Sequence, residues 1–436
     1  MSTQDNVLQL QQPMTEGGIR NVNFFNGRLL TSKDMTREQA ARREADARLG
    51  LAVGDGIAFG LEAERDLQLD RPSAPVLRVK AGLAVNRQGQ TLRLTADTSV
   101  ALSRRFDASG TTPCDCVFAN CNPIADGTYV AGAGVYVLTI APAQSNEGRA
   151  PTNGLDPTNV RCNTDATVDG VQFRLLSINP LRFADLDLSS PRFRNRLAYR
   201  CFGIEARQQN AIDPWRDDPA SYGLIDELRA SSLTDCDVPI ALIYWTSDGL
   251  RFVDLWAVRR RLLEPDALRD GAFQARARRL VEAEAMCAQF QQHLADLLAE
   301  SPAPTTVVAT DHFRYLPPFG LLPLQNLTLR GFSDATFFAD LPRRPHPGSG
   351  QTTPFIDQRL LSALRQEALT HAPTDTTRSE FVWIYRPWQN VKARDDGQTV
   401  QPMLAFASGL IPDMAVARFD MARADYSNYA NCCSAL

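Results

Sequence analysis

The sequence has few of the features by which enzymes and nucleic-acid-binding proteins are recognised. Its 436 residues include only four histidines, and the P-loop, serine-hydrolase, zinc-protease and dinucleotide-binding motifs are missing. The net charge of −4 disfavours non-specific DNA binding, which a basic domain would provide. Only Lys33, Lys80 and Lys392 among the 46 basic residues are lysine. Genome base composition is the simpler explanation, and the use of arginine in large protein interfaces is the alternative. We therefore expect no catalytic residue, no cofactor and no nucleic-acid partner.

Long apolar runs are also missing. Stretches such as VPIALIYW stay far below the roughly 18–20 residues needed to span a bilayer, and MSTQDNVLQLQQP does not follow the export-signal pattern. A hydrophobic content of 44% in a chain of this length predicts a large core divided over two or three domains. We expect a soluble protein without direct membrane insertion.

The nine cysteines do not follow a regular metal-binding pattern. Cys114, Cys116 and Cys121 form a C-x-C-x4-C cluster with no histidine nearby, so no metal is expected. An odd number of cysteines without an export signal favours free, buried thiols, whereas pairing of Cys114 or Cys121 with Cys162 in an oxidising medium is the alternative.

The segment after residue 20 contains a clear turn and helix start. Phe25 precedes Asn26-Gly27, a turn pair for which we expect a positive φ at Gly27, and Thr31 lies three residues before Asp34, which is typical of a capped helix. The composition predicts a helix from Ser32 to about Leu49, followed by a glycine-punctuated link.

Alternating apolar residues then predict a β-hairpin over 76–94, with its turn at Asn86–Gly89. We expect the N-terminal segment to pack on this hairpin as one compact unit.

The order of these elements resembles a family of structural proteins encoded with phage-tail-like contractile injection systems. The residues that match the family pattern are Phe25, Asn26, Gly27, Leu29, Leu30, Thr31, Asp34, Glu38, Gln39, Gly56, Gly60, Leu61 and Glu62. The chain departs from the pattern at Ala58-Phe59, where bulky aromatic residues are expected. Weaker similarity continues over nearly the whole chain, at GVYVLTIAP (134–142), VQFRLLSI (171–178), VPIALIYW followed by DLWAVRRRL, RYLPPFGLLP (314–323), and LAFASG with ARFDMAR.

The resemblance implies a noncatalytic structural subunit at the baseplate or in an accessory cage or fibre. It implies assembly with copies of itself and with other particle subunits. It also implies a location in the bacterial cytoplasm during assembly, within a particle that is later released or anchored to the envelope. The alternative hypothesis is a module carried by such a particle that binds or cleaves envelope glycans, because glycosidase carboxylates leave no sequence motif.

The predicted fold class is α+β, multidomain and mainly antiparallel. We expect a flexible arm (1–20), a helix–hairpin unit (21–105), a β-rich domain with long loops (106–265), a long helix (266–301) and a small α+β domain (302–436). Within the second of these domains, strands are expected at 129–141 and 171–178, and Asp248-Gly249 predicts a second hairpin.

The long helix carries apolar residues spaced alternately three and four apart. This spacing predicts either an inter-subunit coiled-coil seam or a helix packed on its own domain. The residues assigned to the seam are Leu280, Cys287, Phe290, Leu294 and Leu297.

The C-terminal region is expected to contain a helix at about 354–369 and strands at 381–388 and 403–408. Phe381, Trp383 and Tyr385 alternate along one strand face. A half-buried strand is the first interpretation of this pattern, and a carbohydrate-stacking platform is the second.

Overall fold

The structure is a computed structural model. It describes residues 15–71, 75–102, 132–148, 165–204, 223–262, 276–344, 355–356, 358–378, 380–387 and 400–408. The cluster Cys114, Cys116 and Cys121, together with Cys162 and the segment ARFDMAR, lies outside the described residues.

Seven α-helices occur in the described part of the chain. They are α1 (Ser32–Val53), α2 (Phe193–Cys201), α3 (Leu224–Arg229), α4 (Arg276–Glu300), α5 (Ala309–His312), α6 (Asp334–Phe337) and α7 (Gln358–Ala368).

The strands are short except for two in the middle of the chain. They are β1 (Gly56–Gly60), β2 (Ala63–Arg65), β3 (Val76–Val79), β4 (Gly82–Val85), β5 (Thr91–Leu94), β6 (Thr98–Ala101), β7 (Gly134–Glu147), β8 (Ala166–Ser177), β9 (Val238–Thr246), β10 (Gly249–Asp254), β11 (Tyr315–Leu316), β12 (Phe319–Pro323), β13 (Arg343–Arg344), β14 (Phe355–Ile356), β15 (Thr374–Asp375), β16 (Val382–Pro387) and β17 (Met403–Ser408).

These strands form five sheets, and the α+β, mainly antiparallel class is confirmed. The sheet orders are β1-β4-β5, β2-β3-β6, β10-β9-β7-β8, β11-β15, and β12-β17-β16-β13 with β14 also pairing to β16. Only β13 and β14 pair in parallel among the described strands.

The predicted hairpin over 76–94 is only partly correct. The strand expected at 76–81 divides, because β3 pairs with β2 and β6 whereas β4 pairs with β5 across the Asn86–Gly89 turn. The glycine link is also a strand, since β1 pairs with β4 and has an irregularity between Ile57 and Phe59. The hairpin at Asp248-Gly249 is present as β9–β10.

The two small N-terminal sheets pack on one face of the β10-β9-β7-β8 sheet. Leu77 and Leu92 share a core with Leu138 and Ile240, which belong to β7 and β9. The expected boundary near residue 105 therefore does not separate two hydrophobic cores. The opposite face of the four-stranded sheet is covered by α2, α3 and part of α4, with Phe193, Leu197 and Phe202 at its centre.

The long helix α4 is buried inside its own chain. Phe290 and Leu294 pack against the C-terminal sheet, with Leu297 partly buried beside them. Cys287 packs in a neighbouring cluster of the same region, with Leu280 partly buried beside it. The inter-subunit seam is therefore wrong for this face, because its largest side chains are already enclosed by the core, as in the alternative of a helix packed on its own domain.

A buried ion network connects α2, β10 and α4. Arg194 Nε donates to Asp254 at 2.9 Å, and the amide of Gln289 donates to the same carboxylate at 2.8 Å. Arg194 also donates to Asp296 at 2.7 Å. Asn195 holds Tyr315 by two hydrogen bonds to its backbone, at 2.9 and 3.0 Å. These contacts place α2 and α4 relative to each other.

The C-terminal sheet buries its aromatic residues. Trp383 and Tyr385 lie in a core cluster with Ile356 and Leu364, and Phe381 is partly buried beside them. The strand is confirmed, but it begins at Val382 and its residues 382–385 are buried on both faces, so it is not half-buried. The carbohydrate-stacking platform is wrong, because Trp383 and Tyr385 are buried.

The cysteines differ from the expectation of free thiols. Cys201 and Cys287 are free and buried, and burial raises the pKa of each thiol to about 12. Cys236, however, is disulfide-bonded, to a partner outside the described residues. The number of cysteines did not predict this disulfide bond, because a count does not show which cysteines lie close together in the fold.

The burial of Phe290 yields a first prediction. Phe290→Ala should lower the free energy of unfolding by about 3–5 kcal/mol, because a large ring is removed from a filled core. Leu327→Ala, at a fully exposed residue, should change it by less than about 0.5 kcal/mol. Denaturant unfolding measures both. If Phe290→Ala changed the free energy of unfolding only slightly but abolished oligomers, the result would support an inter-subunit seam at this face.

Candidate interaction surface

Residues 15–53, here called the N-terminal arm, form a narrow two-element structure. The segment before α1 runs back along the helix in the opposite direction. Near its start, Arg48 donates to the Gly17 carbonyl at 2.7 Å. In the middle, the Val22 N–H donates to Glu38 at 3.2 Å. Near the turn, Arg28 donates to Asp34 at 2.6 Å.

The turn and the helix start have the local geometry that the sequence predicts. The Arg28 N–H donates to the Phe25 carbonyl at 3.2 Å, and Gly27 has a φ of +89°. Thr31 and Asp34 form a capping box, in which each side chain accepts from the backbone N–H of the other, at 3.3 and 3.0 Å. Hydrogen bonds from the Thr31 side chain and backbone and from Arg28 lower the pKa of Asp34 to about 2.

Most of the arm's apolar side chains face outwards. Of the 22 residues of α1, only Ala41 is buried. Phe25 is 63% exposed and Leu29 is 86% exposed. We define the apolar arm surface as the exposed residues Phe24, Phe25, Leu29, Leu30 and Met35. The expected compact packing of this segment on the hairpin is therefore wrong for Phe25 and Leu30.

The arm meets the body at one end of α1. A Cβ on Gly50 would lie 2.0 Å from the Gly89 carbonyl oxygen, and a Cβ on Gly89 would lie 1.9 Å from the Ala47 carbonyl oxygen. Glycine is thus needed on both sides of this contact, and α1 continues past Gly50 instead of ending there. Farther along, Arg43 approaches Asp169 of β8 to 4.0 Å.

Gly56 and Gly60 of the sequence motif lie in β1, away from the apolar arm surface. Their φ angles are +134° and +66°. A Cβ on Gly60 would lie 2.0 Å from the Ala81 carbonyl oxygen, and one on Gly56 would lie 2.5 Å from the Arg261 carbonyl oxygen. These two glycines let β1 approach neighbouring backbone.

The structure thus distributes the predicted site residues over three places. Phe25, Asn26, Gly27, Leu30 and Asp34 lie together on the arm, Gly56 and Gly60 lie in β1, and the predicted seam is core. The sequence predicted the turn and the cap correctly, but it did not predict that the apolar residues beside them are exposed. The available signal was α1 itself, whose apolar residues do not form a stripe spaced by three and four.

The arm also differs in charge from the rest of the sequence. Residues 15–53 contain seven basic and five acidic side chains, which gives the arm a net charge of +2. The remaining residues of the sequence together carry −6, and the whole chain carries −4. Arg28 lies over the ring of Phe25 at 5.9 Å from its centre.

Among the described residues, no group of three or more His, Cys, Asp or Glu side chains is arranged to hold a metal ion. No helix in this part of the chain has both the length and the apolar character needed to cross a membrane.

Comparison with known proteins gives no match to a protein-family model and none to a curated protein.

The capping box yields a pH prediction. Because the pKa of Asp34 is lowered, its charged form stabilises the arm above the ordinary value of 3.8, and this contribution is lost as the pH falls through about 2. Carboxyl ¹³C shifts should show Asp34 titrating near 2, and amide exchange in the first turn of α1 should accelerate in the same range. Thr31→Val is the matched control: it removes the hydroxyl and should move the titration upwards. Titration of Asp34 near 3.8 in the wild-type protein would contradict this account.

Proposed function

We propose that this chain is a noncatalytic structural subunit of a phage-tail-like contractile injection particle. Its place is at the baseplate or in an accessory cage or fibre, and its partners are copies of itself and other particle subunits. The observation that supports this most directly is the apolar arm surface, which is exposed although the turn and helix beside it are locally well ordered. The motif order in residues 25–62, which resembles the structural family, supports the same proposal.

The physical argument starts from the helix α1. A polar helix that buries one residue gains little from packing, although the packing of an apolar face supplies most of the stability of helices in proteins. The capping box and the Arg28–Asp34 ion pair stabilise only its first turn. Contact with another subunit would supply the missing burial, since each large apolar side chain removed from water contributes about 1.5–3 kcal/mol.

We assign a second copy of this chain as the occupant of the apolar arm surface. The arm carries a net charge of +2 and the rest of the sequence carries −6, so two copies can attract each other through the arm. Such a contact is head-to-tail, and head-to-tail contacts produce closed rings when the rotation between neighbours closes. Repeated weak contacts around a particle axis then add up to strong assembly. Assembly would take place in the bacterial cytoplasm, before the particle is released or anchored.

The glycan-directed alternative gains no support from the C-terminal region. A glycan-binding module could have used the aromatic strand as a stacking surface, but Trp383 and Tyr385 are buried. No second function is therefore proposed.

Self-association tests the assigned occupant. Phe25→Ser combined with Leu29→Ser should weaken the wild-type oligomer by at least about tenfold, because two exposed apolar side chains no longer enter the interface. Light scattering over a concentration series measures the association, which should also weaken with added salt.

The matched control is Leu181→Ser, at an 81% exposed residue outside the arm. It should associate like the wild type. A wild-type chain that stays monomeric throughout the series, or equal association of the arm variant and the control, would remove the second copy as the occupant.

Particle assembly tests the proposed function itself. A strain lacking the gene should produce particles that are incomplete, misshapen or unattached in electron micrographs. The wild-type gene and Leu181→Ser should restore them, whereas the arm variant should not. Intact and active particles from the deletion strain would contradict the proposed function.

A further inference from the structure

A small cavity lies where the N-terminal sheets, α3, the start of β9 and α4 meet. Its volume is about 70 Å³. Three guanidinium groups line it, from Arg87, Arg229 and Arg260. Three carboxylates also line it, from Asp55, Asp226 and Glu282. Equal numbers of positive and negative groups do not by themselves indicate a ligand. A ligand is indicated only where one of these groups has no partner of opposite charge within the protein.

Two of the three arginines are occupied. The guanidinium of Arg87 lies 3.4 Å from the Asp55 carboxylate and 3.6 Å from that of Asp226. The backbone N–H of Arg87 donates to the Asp235 carbonyl at 3.1 Å. Arg260 donates to the carbonyl oxygens of three residues in the turn after β10. It also lies over the ring of Phe202, 4.6 Å from its centre.

Arg229 is different. Its Nε is buried and has no hydrogen-bond partner. Its one hydrogen bond among the described residues, to the Thr234 carbonyl, is long at 3.5 Å. No carboxylate of the described residues lies within the 4.0 Å of an ion pair. Burial and the neighbouring charge of Arg87 lower the pKa of Arg229 to about 10. A buried donor without a partner is costly, and a charged one more so.

We propose that this cavity binds a small carboxylate, which is held by the guanidinium of Arg229 beside that of Arg87. A planar carboxylate matches the two parallel donors of a guanidinium, and its single charge neutralises the one of these three arginines for which we find no carboxylate within ion-pair distance among the described residues. The three acidic side chains in the lining disfavour a doubly charged phosphate. The cavity volume limits the bound part to a group about the size of acetate. This inference does not depend on the proposed function.

The test uses the full-length chain and acetate as the probe. Acetate, compared with chloride at equal ionic strength and pH 7, should raise the wild-type melting temperature saturably, because a ligand that binds only the folded state stabilises it. Arg229→Met should lose this response. Arg251→Met is the matched control, since it removes an exposed arginine from β10 outside the cavity and should keep the response.

Two measurements keep the result interpretable. Without acetate, Arg229→Met should melt no lower than the wild type, because it removes a guanidinium whose buried Nε has no hydrogen-bond partner. Calorimetric titration of the wild type with acetate is independent of any variant. It should give saturable heat, and phosphate should give less.

Several outcomes would overturn the proposal. These are no saturable acetate response in the wild type, equal responses in Arg229→Met and Arg251→Met, and a phosphate response as large as that of acetate. A short peptide with a free C-terminus, compared with its amide, identifies the source of the carboxylate. If only acetate binds, the ligand is a free small molecule; if the free peptide binds more tightly than its amide, the ligand is a protein tail. Either result supports a carboxylate site.

Discussion

The burial of α4 between two hydrophobic regions is the constraint on which the rest of the fold depends. Ala285 and Met286 face the core under the four-stranded sheet, whereas Phe290 and Leu294 face the C-terminal sheet. The helix therefore cannot shift without opening both regions. The amide nitrogen of Gln289 on this helix donates to the Asp254 carboxylate, which also accepts from Arg194, whereas Gln289 Oε1 and His293 Nδ1 are buried without a hydrogen-bond partner. Removing one member of such a buried network leaves the others without compensation, which is more costly than the pair is worth.

The arm is the opposite case. It is stabilised by local hydrogen bonds and by one close backbone contact, and it leaves most of its apolar side chains in water. Proteins rarely leave adjacent large apolar residues exposed without a partner. The turn at Gly27 and the cap at Thr31 fix the direction in which Phe25 and Leu30 point. Such local order lowers the entropy that a partner must remove on binding.

Much of the fold follows from local sequence signals, and the parts that do not follow depend on long-range packing. The turn at Asn26-Gly27, the cap at Thr31 and the hairpin at Asp248-Gly249 are encoded within a few residues. The division of the strand at Ala81 is not, because alternation continues through residues 76–85 although two sheets share them. The spacing on α4 showed that one face is apolar, but a coiled-coil seam and a core face have the same spacing. The unpartnered Arg229 had no sequence signal, since only the positions of all its neighbours show that it lacks a carboxylate.

The turn at Asn86–Gly89 connects the two features proposed to bind. Its geometry is fixed by Asn86, whose side chain accepts from Gln88 and Gln90 and donates to the Cys236 carbonyl. Gly89 receives the end of α1, and Arg87 lines the cavity and pairs with Asp55 and Asp226. The arm is therefore attached to the body at a hydrogen-bonded turn whose Asn86 and Gly89 are buried. Since α1 is held most closely at its C-terminal end, Phe25 and Leu30 at the other end extend farthest from the attachment. At that position the apolar surface is accessible without any change in the core.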